Sequence, residues 1–504
     1  MTTSSAALAL STVEPRVLCE EGNPRTLPQR KWPVAGILLV AFWTLGAALR
    51  FCALDLHSFW YDEVVVMRIA RAPSLADMVQ KLMSTDKSAA PLHPLLLRGW
   101  IAIWGPSEAA ARALSATFSL LALVALSAVA WFAFRSRVAV LVATALMAVS
   151  PIDLELSMEN RMYCMLLFWT VAAWALLFSF RRSRGVFQEL GFGLCLIGLA
   201  YTHPLGGFMI LALGLGYLLD TRHSRLSWRR WLIIQALAFA AIVPWLPHYL
   251  DHPPEAKDHM HRMVMLYAWI QAGLGYPSGY LPIVLGLAAA NWLVPPRIVR
   301  VWQSSVRIQP DERIRTGSML ALWILVPLCL IFLYSFFRHS ILCTTRYEFY
   351  LVPGLILLLA GAVRFRPMMT GGMVAVLTLC YVPSLLGARV FNAHCKADWR
   401  GAMRVVLNRS PRPTVMLALP RSHWYFEALE YYVPESVPLV SLDDFFESQR
   451  AGVLDPGRDY WLIQDRLGPD RANLRELPLR RHHEPILDDG RLTATILDST
   501  RVIK

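Results

Sequence analysis

The sequence has little charge for its length. Of its 504 residues, 17% are Asp, Glu, Lys or Arg and 56% are apolar, and the mean hydropathy is +0.42. This composition excludes a soluble globular protein, and charged clusters interrupt the apolar runs repeatedly. The sequence therefore predicts an integral membrane protein with many spans.

The cysteine pattern lacks any spacing that binds metal or carries out redox chemistry. The eight cysteines are scattered, mostly inside apolar runs, with no CxxC or Cys/His pattern, which is typical of core positions. Cys343 and Cys395 are the two that could form a disulfide on an oxidising face. No cleavable signal is expected either, because the apolar run at 34–54 is long enough to span and lacks a small-residue cleavage site.

Positive charge is present in excess, with 49 Lys and Arg against 36 Asp and Glu and a net charge of +13. These residues fall mostly in short clusters between apolar runs, so they indicate topology and exclude nucleic acid as a partner. Basic clusters recur at every second span boundary. By the positive-inside rule, this predicts about eleven transmembrane helices, with the N-terminus in the cytoplasm and the C-terminus outside.

The chain divides into three parts. Residues 1–31 are predicted to be a disordered cytoplasmic leader, and residues 32–389 an all-α transmembrane domain. That domain has a first external loop at 55–108, with an amphipathic surface helix near 73–79, and a second at 152–163.

The last part, residues 390–504, loses the long apolar runs. Short buried strands are predicted at 413–419, 437–442 and 460–463, with helices between them. The expected fold class is therefore an all-α polytopic membrane protein with a small C-terminal α/β extracytoplasmic domain.

Polar residues near the span ends converge on the outer face. They include Asp62, Glu63, His93, Asp153, Glu155, Glu159, Arg161, His203, Arg346 and Glu348. A carboxylate shielded from bulk water by aromatic side chains can act as a general base. Arg346 and Arg161 offer guanidinium forks that suit a phosphate, and Lys87 is a weaker candidate for that role. The pattern indicates a site for a lipid-phosphate substrate.

Structural explanations stay open for the same residues. Asp62 and Glu63 could begin a helix, where acidic residues complement the macrodipole, or could ligate a divalent ion through oxygen. Arg346 could be an interfacial anchor, and His203 could simply end a helix.

Six short motifs follow one another along residues 34–405. They are Tyr61-Asp62-Glu63, His93-Pro94-Leu95, Ser157-x-Glu159-x-Arg161-x-Tyr163, Thr202-His203, Arg346-Tyr347 and Asp398-Trp399-Arg400-Gly401. As an ordered set they resemble a bacterial family 39 glycosyltransferase. These are enzymes of the GT-C type, similar to protein O-mannosyltransferases and to the aminoarabinose transferases that modify lipid A.

The resemblance implies transfer of a hexose or pentose from a polyprenyl-phosphate donor to a protein, lipid or glycan outside the bacterial cytoplasmic membrane. Asp62 would be the catalytic base of an inverting reaction, with Glu63 orienting it. The remaining roles fall into three sets: Arg346, Tyr347, Arg161 and Lys87 at the donor phosphate; Asp153, Glu155 and Glu159 on the acceptor side; and Tyr61, His93, Tyr163 and His203 lining the site. No cofactor is required, although a divalent metal could bind at Asp62 and Glu63.

Two departures from the family concern the donor pocket. Leu95-Leu96-Leu97-Arg98 stands where the family commonly has a second proline and an aromatic pair, and Glu348 stands where an apolar residue is usual.

A soluble nucleotide-sugar donor is unsupported, because no Gly-rich phosphate loop precedes a strand-helix turn. A polysaccharide polymerase or ligase would share the donor and topology. A lipid-linked sugar transporter is disfavoured, because ionisable residues lie at span ends rather than at mid-membrane.

Overall fold

The structure is a computed structural model, and helices make up most of it. It describes residues 32–85, 90–250, 310–337, 349–363, 397–417, 419, 421, 423–465, 487–488 and 492–497. Lys87, Arg346, Tyr347 and the predicted Cys343–Cys395 disulfide lie outside these residues.

The described residues between 32 and 363 form the helical part. Its helices are α1 (Trp32–Phe51), α2 (Tyr61–Ala70), α3 (Leu75–Thr85), α4 (Leu92–Trp104), α5 (Glu108–Phe134), α6 (Arg137–Ala148), α7 (Pro151–Ser157), α8 (Tyr163–Ser179), α9 (Val186–Thr202), α10 (Gly206–Asp220), α11 (Trp228–Ile242), α12 (Leu246–Leu250), α13 (Pro310–Phe337) and α14 (Val352–Val363). Short 3-10 turns at Val243–Trp245 and Phe349–Leu351 precede α12 and α14.

Four helical stretches of the described residues are long and apolar enough to cross a membrane, one of them formed by α11, the 3-10 turn after it and α12, and the pair α6 and α7 makes a fifth if it counts as one broken span. Shorter apolar helices at Tyr163–Ser179, Val186–Thr202, Gly206–Asp220 and Phe349–Ala362 pack among them. The chain is thus a multi-pass helical protein, and the total of about eleven spans stays a prediction. A short turn at 203–205 joins α9 to α10.

One large apolar core joins the helices of the membrane domain. Large aromatic rings fill its centre. The rings of Trp174 on α8 and Trp323 on α13 stack with centroids 5.1 Å apart, and Gly216 on α10 gives Trp174 room, because a Cβ there would lie 2.9 Å from that ring. Close packing of this kind fixes the relative positions of α8, α10 and α13.

The chain bends by 54° between α6 and α7, where the sequence analysis predicted only a loop. Arg50 of α1 is fully buried at this bend and forms an ion pair with Asp153 of α7. Its guanidinium also donates to the carbonyl oxygens of Met147 and Ala148, at 3.1 and 3.2 Å. These carbonyls belong to the last residues of α6 and have no hydrogen-bond partner within that helix, so Arg50 supplies the hydrogen bonds that the broken helix no longer makes.

The stretch after the first span is mostly helical, with α2 and α4 in addition to the one helix expected there. That expected helix is α3, and Ser74 begins it, since its hydroxyl accepts from the Asp77 backbone N–H at 3.1 Å. Met78 and Leu82 of α3 are buried against α2, whereas Leu75 and Met83 are exposed. One face of α3 therefore packs on the helix that begins with the Tyr61-Asp62-Glu63 motif.

The last part of the chain contains a mixed sheet with the strand order β2-β1-β3-β5-β4. The strands are β1 (Pro413–Leu417), β2 (Leu439–Ser441), β3 (Asp459–Asp465), β4 (Leu487–Asp488) and β5 (Leu492–Leu497), and the helices are α15 (Trp399–Arg409), α16 (Trp424–Glu430) and α17 (Leu442–Arg450). β1 is parallel to β2 and β3, while β5 is antiparallel to β3 and β4. The crossovers between the parallel strands are the helices α16 and α17.

Candidate functional site

Glu63 lies in the first turn of α2 and is completely buried. Both of its oxygens accept from Arg112 of α5, each at 2.8 Å from the donor nitrogen. One oxygen also accepts from the Asn160 backbone N–H at 2.8 Å, and the other from the Trp60 backbone N–H at 3.3 Å. Glu63 thus joins α2 to α5 and to the segment before α8.

Arg112 holds the loop that leads into α2. Its Nη1 donates to the carbonyl oxygens of Leu54 and His57, at 2.9 and 2.6 Å, and its Nη2 donates to that of Ser58 at 3.0 Å. The guanidinium also lies 5.1 Å from the centre of the Phe59 ring. A buried bidentate pair with this many further bonds orients the first turn of α2 firmly.

Asp62 has a different environment, although it is the neighbouring residue. Its side chain is 28% exposed, and a carboxylate oxygen lies 3.9 Å from a guanidinium nitrogen of Arg161. Arg161 also donates to the Asp62 carbonyl oxygen at 3.3 Å. Residues 99 positions apart in the sequence thus meet at one place. Asp62 is the accessible carboxylate of the pair, and Glu63 is the neutralised one.

Arg161 contacts one aromatic ring, which in turn packs against a second. Its guanidinium lies 5.9 Å from the centre of the Tyr163 ring, and Tyr163 packs edge-on against Phe349 with ring centres 6.2 Å apart. Phe349 follows Arg346 by three residues in the sequence. The chain therefore brings the segment after Arg346 and Tyr347 to the ring beside Arg161.

His93 of α4 is buried in the same region, and neither of its ring nitrogens has a hydrogen-bond partner among the residues that the structure describes. Burial, together with the positive charge of Arg161, lowers the pKa of His93 to about 3. The imidazole is therefore neutral at neutral pH, and it can either donate to or accept from a neutral polar group.

The other predicted site residues differ in their burial and in their partners. Asp153 is buried in its ion pair with Arg50, and Glu159 is buried, whereas Glu155 is half-buried. His203 ends α9 and accepts from the Leu205 backbone N–H at 3.1 Å, so it has the helix-ending geometry. Tyr61 is half-buried between α3 and the α15 side of the C-terminal region.

The Asp398-Trp399-Arg400-Gly401 motif docks the C-terminal region onto the loop before α2. Asp398 begins α15, accepting from the Gly401 N–H at 3.0 Å and from the Ser58 hydroxyl at 2.7 Å. Arg400 pairs with Glu108 and donates to the Asp55 carbonyl oxygen at 2.8 Å. The motif therefore fixes the same loop that Arg112 holds from the membrane side.

Tyr432 makes a second connection between these parts. Its hydroxyl donates to Glu108 and accepts from the Phe59 backbone N–H at 2.6 Å. Burial, together with the negative charge of Glu108, raises the pKa of Tyr432 well above its usual range, so the hydroxyl keeps its proton. The C-terminal region and the Asp62 loop are thus one hydrogen-bonded assembly.

The metal alternative requires Asp62 and Glu63 to share a cation. Glu63 gives both oxygens to Arg112, so it is poorly placed to share a cation with Asp62. Within the described ranges, no group of three or more His, Cys, Asp or Glu side chains could hold a metal ion.

The sequence analysis did not single out Arg112, Arg50, Glu108 or Tyr432. A signal existed for the first two, because each is a charge within an apolar span, where an uncompensated guanidinium is costly. Glu108 and Tyr432 gave no such signal, since both lie in ordinary polar surroundings in the sequence.

Comparison with known proteins agrees with this description. A family model for dolichyl-phosphate-mannose-protein mannosyltransferase matches residues 88–248. The fold is that of a GT-C membrane protein. It is similar to the crystal structure of ArnT from Cupriavidus metallidurans bound to undecaprenyl phosphate, with 15% identity, 91% of this chain and 97% of that chain covered, and a TM-score of 0.52.

The apo state of the same ArnT is similar too, with 15% identity, 93% of this chain and 99% of that chain covered, and a TM-score of 0.54. The comparison with curated proteins found no match to the sequence. The expected resemblance to GT-C glycosyltransferases, such as protein O-mannosyltransferases and aminoarabinose transferases, is confirmed by the family model and by the fold.

Proposed function

We propose that the protein is an integral membrane glycosyltransferase that transfers a hexose or pentose from a polyprenyl-phosphate donor to an acceptor on the outer face of the membrane. Asp62 takes the proton of the acceptor hydroxyl as its oxygen attacks the anomeric carbon. The bond from that carbon to the carrier phosphate breaks, and the configuration inverts. The match to the mannosyltransferase family model and the fold shared with an undecaprenyl-phosphate-bound ArnT support this class.

The observation that carries the proposal is the difference in burial and in partners between Asp62 and Glu63. A general base needs an accessible carboxylate held in place. Glu63 is buried and bound by Arg112, so it positions α2, while Asp62 is left partly open at the same helix end. We therefore assign the base to Asp62 and a positioning role to Glu63.

The donor phosphate would lie between Arg161 and Arg346, with Tyr347 and Lys87 as further contacts. The contact of Tyr163 with Phe349 supports this arrangement, because it brings the two segments together. Guanidinium groups at the leaving phosphate stabilise the charge that develops in the transition state. The proposed reaction needs no metal or other cofactor, since cationic side chains neutralise the leaving group.

On the acceptor side we retain Glu155 and Glu159. Asp153 has a positioning role in this proposal, because its ion pair with Arg50 occupies it. Tyr61, Tyr163, His93 and His203 would line the site. Neutral His93 would contact uncharged hydroxyl groups rather than the phosphate.

The proposed topology has about eleven spans in the bacterial cytoplasmic membrane. The N-terminus is cytoplasmic, and the C-terminal region is a small α/β domain on the outer face. Its bonds to the Asp62 loop support that side, because the domain must share a compartment with the loop.

The test uses purified protein in lipid with polyprenyl-monophosphate sugars that carry a labelled sugar, and it follows the release of free polyprenyl phosphate. Removing a general base typically costs about 10²–10⁴ in rate. We expect that loss in Asp62→Asn, and weaker donor use in Arg161→Gln and Arg346→Ala. Glu435→Gln is the matched control, because it makes the same acid-to-amide change at an exposed position of the C-terminal region.

Turnover by Asp62→Asn at the wild-type rate would remove Asp62 as the base and direct the search to Glu155 and Glu159. A wild-type protein inert towards every hexose and pentose donor, with cell-envelope acceptors added, would contradict the proposed function as a whole.

A further inference from the structure

A second charged cluster lies at the far end of α8 from the candidate site. α8 begins at Tyr163 and has 17 residues, so its two ends are roughly 25 Å apart. Arg181 follows the far end, and Asp220 ends α10 beside it. The cluster therefore belongs to the other face of the membrane domain and takes no part in the proposed reaction.

The cluster has more positive than negative charge. Asp220 is buried, and its two oxygens pair with Arg181 Nε at 2.6 Å and with Arg315 Nε at 3.2 Å. Arg181 also donates to the Thr316 hydroxyl at 2.8 Å, which fixes it in place. One carboxylate thus faces two guanidinium groups, and a further anion would balance the charge.

A groove of about 290 Å³ opens beside this cluster, between α10 and α13. Leu219, Ile314, Arg315 and Ser318 line it. Leu219 and Ile314 are 50% and 63% exposed, as expected for side chains that face lipid, whereas Arg315 is 17% exposed. Arg315 also contacts the ring of His223. The groove therefore combines apolar walls with a partly accessible cation.

We propose that this groove binds the headgroup phosphate of an anionic glycerophospholipid from the leaflet that the basic loops face. Arg315 would hold the phosphate oxygens, and an acyl chain would lie on Leu219 and Ile314. Guanidinium forks fit phosphate oxygens, and basic residues at the cytoplasmic surface attract anionic lipids.

Charge complementarity favours a lipid anion over other occupants. Residues 181–230 and 310–318 contain nine arginines and only four acidic residues. A soluble phosphate would gain nothing from the apolar walls, and a protein partner would need a larger face than these four residues provide. The lipid uses both the charge and the apolar surface.

The experiment measures lipid binding to the full chain in neutral detergent by native mass spectrometry. The probes are phosphatidylglycerol, phosphatidylcholine and inorganic phosphate. We expect retained phosphatidylglycerol on the wild type, and an affinity about fivefold weaker in Arg315→Gln, the size expected for one basic residue at an anionic membrane surface. Arg315→Lys keeps the charge and should keep most of the binding.

Arg230→Gln is the matched control. Arg230 and Arg184 share Glu189 just as Arg315 and Arg181 share Asp220, but Arg230 is exposed and is not among the residues that line this groove. Ile314→Trp fills the groove without touching an ion pair, and it should also weaken phosphatidylglycerol binding.

Three results would overturn the proposal. In the first, Arg315→Gln and Ile314→Trp bind phosphatidylglycerol as the wild type does. In the second, Arg230→Gln loses as much phosphatidylglycerol affinity as Arg315→Gln, which would make lipid attraction a property of the whole basic face. In the third, inorganic phosphate competes fully with the lipid, which would leave no role for the apolar walls.

Discussion

Glu63→Gln tests whether the acid beside Asp62 positions the site or reacts in it. The substitution keeps the size of the side chain and removes its charge. In the wild type, Glu63 accepts four hydrogen bonds, two of them from Arg112. An amide can accept through only one atom, so its nitrogen would face a donor that it cannot satisfy, and Arg112 would keep a buried charge with no carboxylate opposite.

The expected cost follows from that uncompensated charge. Removing one partner of a buried ion pair typically destabilises a protein by about 3–5 kcal/mol, a factor of roughly 10² or more in the folded-to-unfolded ratio. Asp62→Asn should cost about 1 kcal/mol or less, because Asp62 is partly exposed and lies 3.9 Å from Arg161. Glu63→Gln should therefore lower the stability of the fold strongly, whereas Asp62→Asn should lower it little.

The assay pairs reversible unfolding in mixed micelles, followed by tryptophan fluorescence, with carrier release by the folded fraction. Glu63→Gln should lower stability strongly and leave measurable turnover per folded molecule, whereas Asp62→Asn should keep stability and lose turnover. In a double-mutant cycle with Arg112→Gln, the two changes should couple by about 0.5–3 kcal/mol.

The reasoning fails if Glu63→Gln unfolds like the wild type, or if the cycle shows no coupling between Glu63 and Arg112. A Glu63→Gln protein that is as stable as Asp62→Asn but equally inactive would make Glu63 a reacting group instead.

Two further predictions concern the surroundings of the site. Because burial lowers the pKa of His93 from 6.5 to about 3, the unfolded chain takes up a proton at pH 5 that the folded protein does not. His93 therefore makes the fold less stable as pH falls from 6.5 towards 3, by about 1.4 kcal/mol per unit; unfolding measured across that range should flatten in His93→Phe, and an unchanged slope would contradict the assignment. Tyr432→Phe should cost about 1.5–3 kcal/mol in unfolding by denaturant, because it removes a hydrogen bond to the Glu108 carboxylate and leaves the Phe59 N–H unsatisfied. Tyr334→Phe is the control, because Tyr334 is exposed on α13, and an equal loss in both variants would argue against a specific role for Tyr432.

Much of the fold could be predicted from hydrophobic patterns. α5 at Glu108–Phe134 is one of the long apolar helices that the sequence predicts, and the strands expected near 413–419 and 460–463 coincide with β1 and β3. Apolar runs of this length or alternation have few other structures open to them. The helices α2 and α4 were missed, because their buried faces are decided by packing against α5 rather than by a regular local period.

The site was predictable in part, and the limit is physical. The ordered motifs placed Asp62 and Arg161 on one face, and the structure brings them together. Only the family resemblance gave Asp62 and Glu63 different roles, since adjacent acids have the same local context in the sequence. Their difference depends on Arg112, 49 positions further on, and no local pattern reports a contact of that separation.

The ion pair between Arg50 and Asp153 also sets an order for the assembly of the protein in the cell. Arg50 precedes its carboxylate by 103 residues. At about 5–20 residues per second, translation takes roughly 5–20 s to cover that distance. Until Asp153 is made, the charge at the end of α1 has no carboxylate partner and is best kept among the lipid headgroups. The first helix therefore reaches its final depth only after the sixth and seventh have been synthesised, so membrane insertion of this chain is completed in blocks rather than one span at a time.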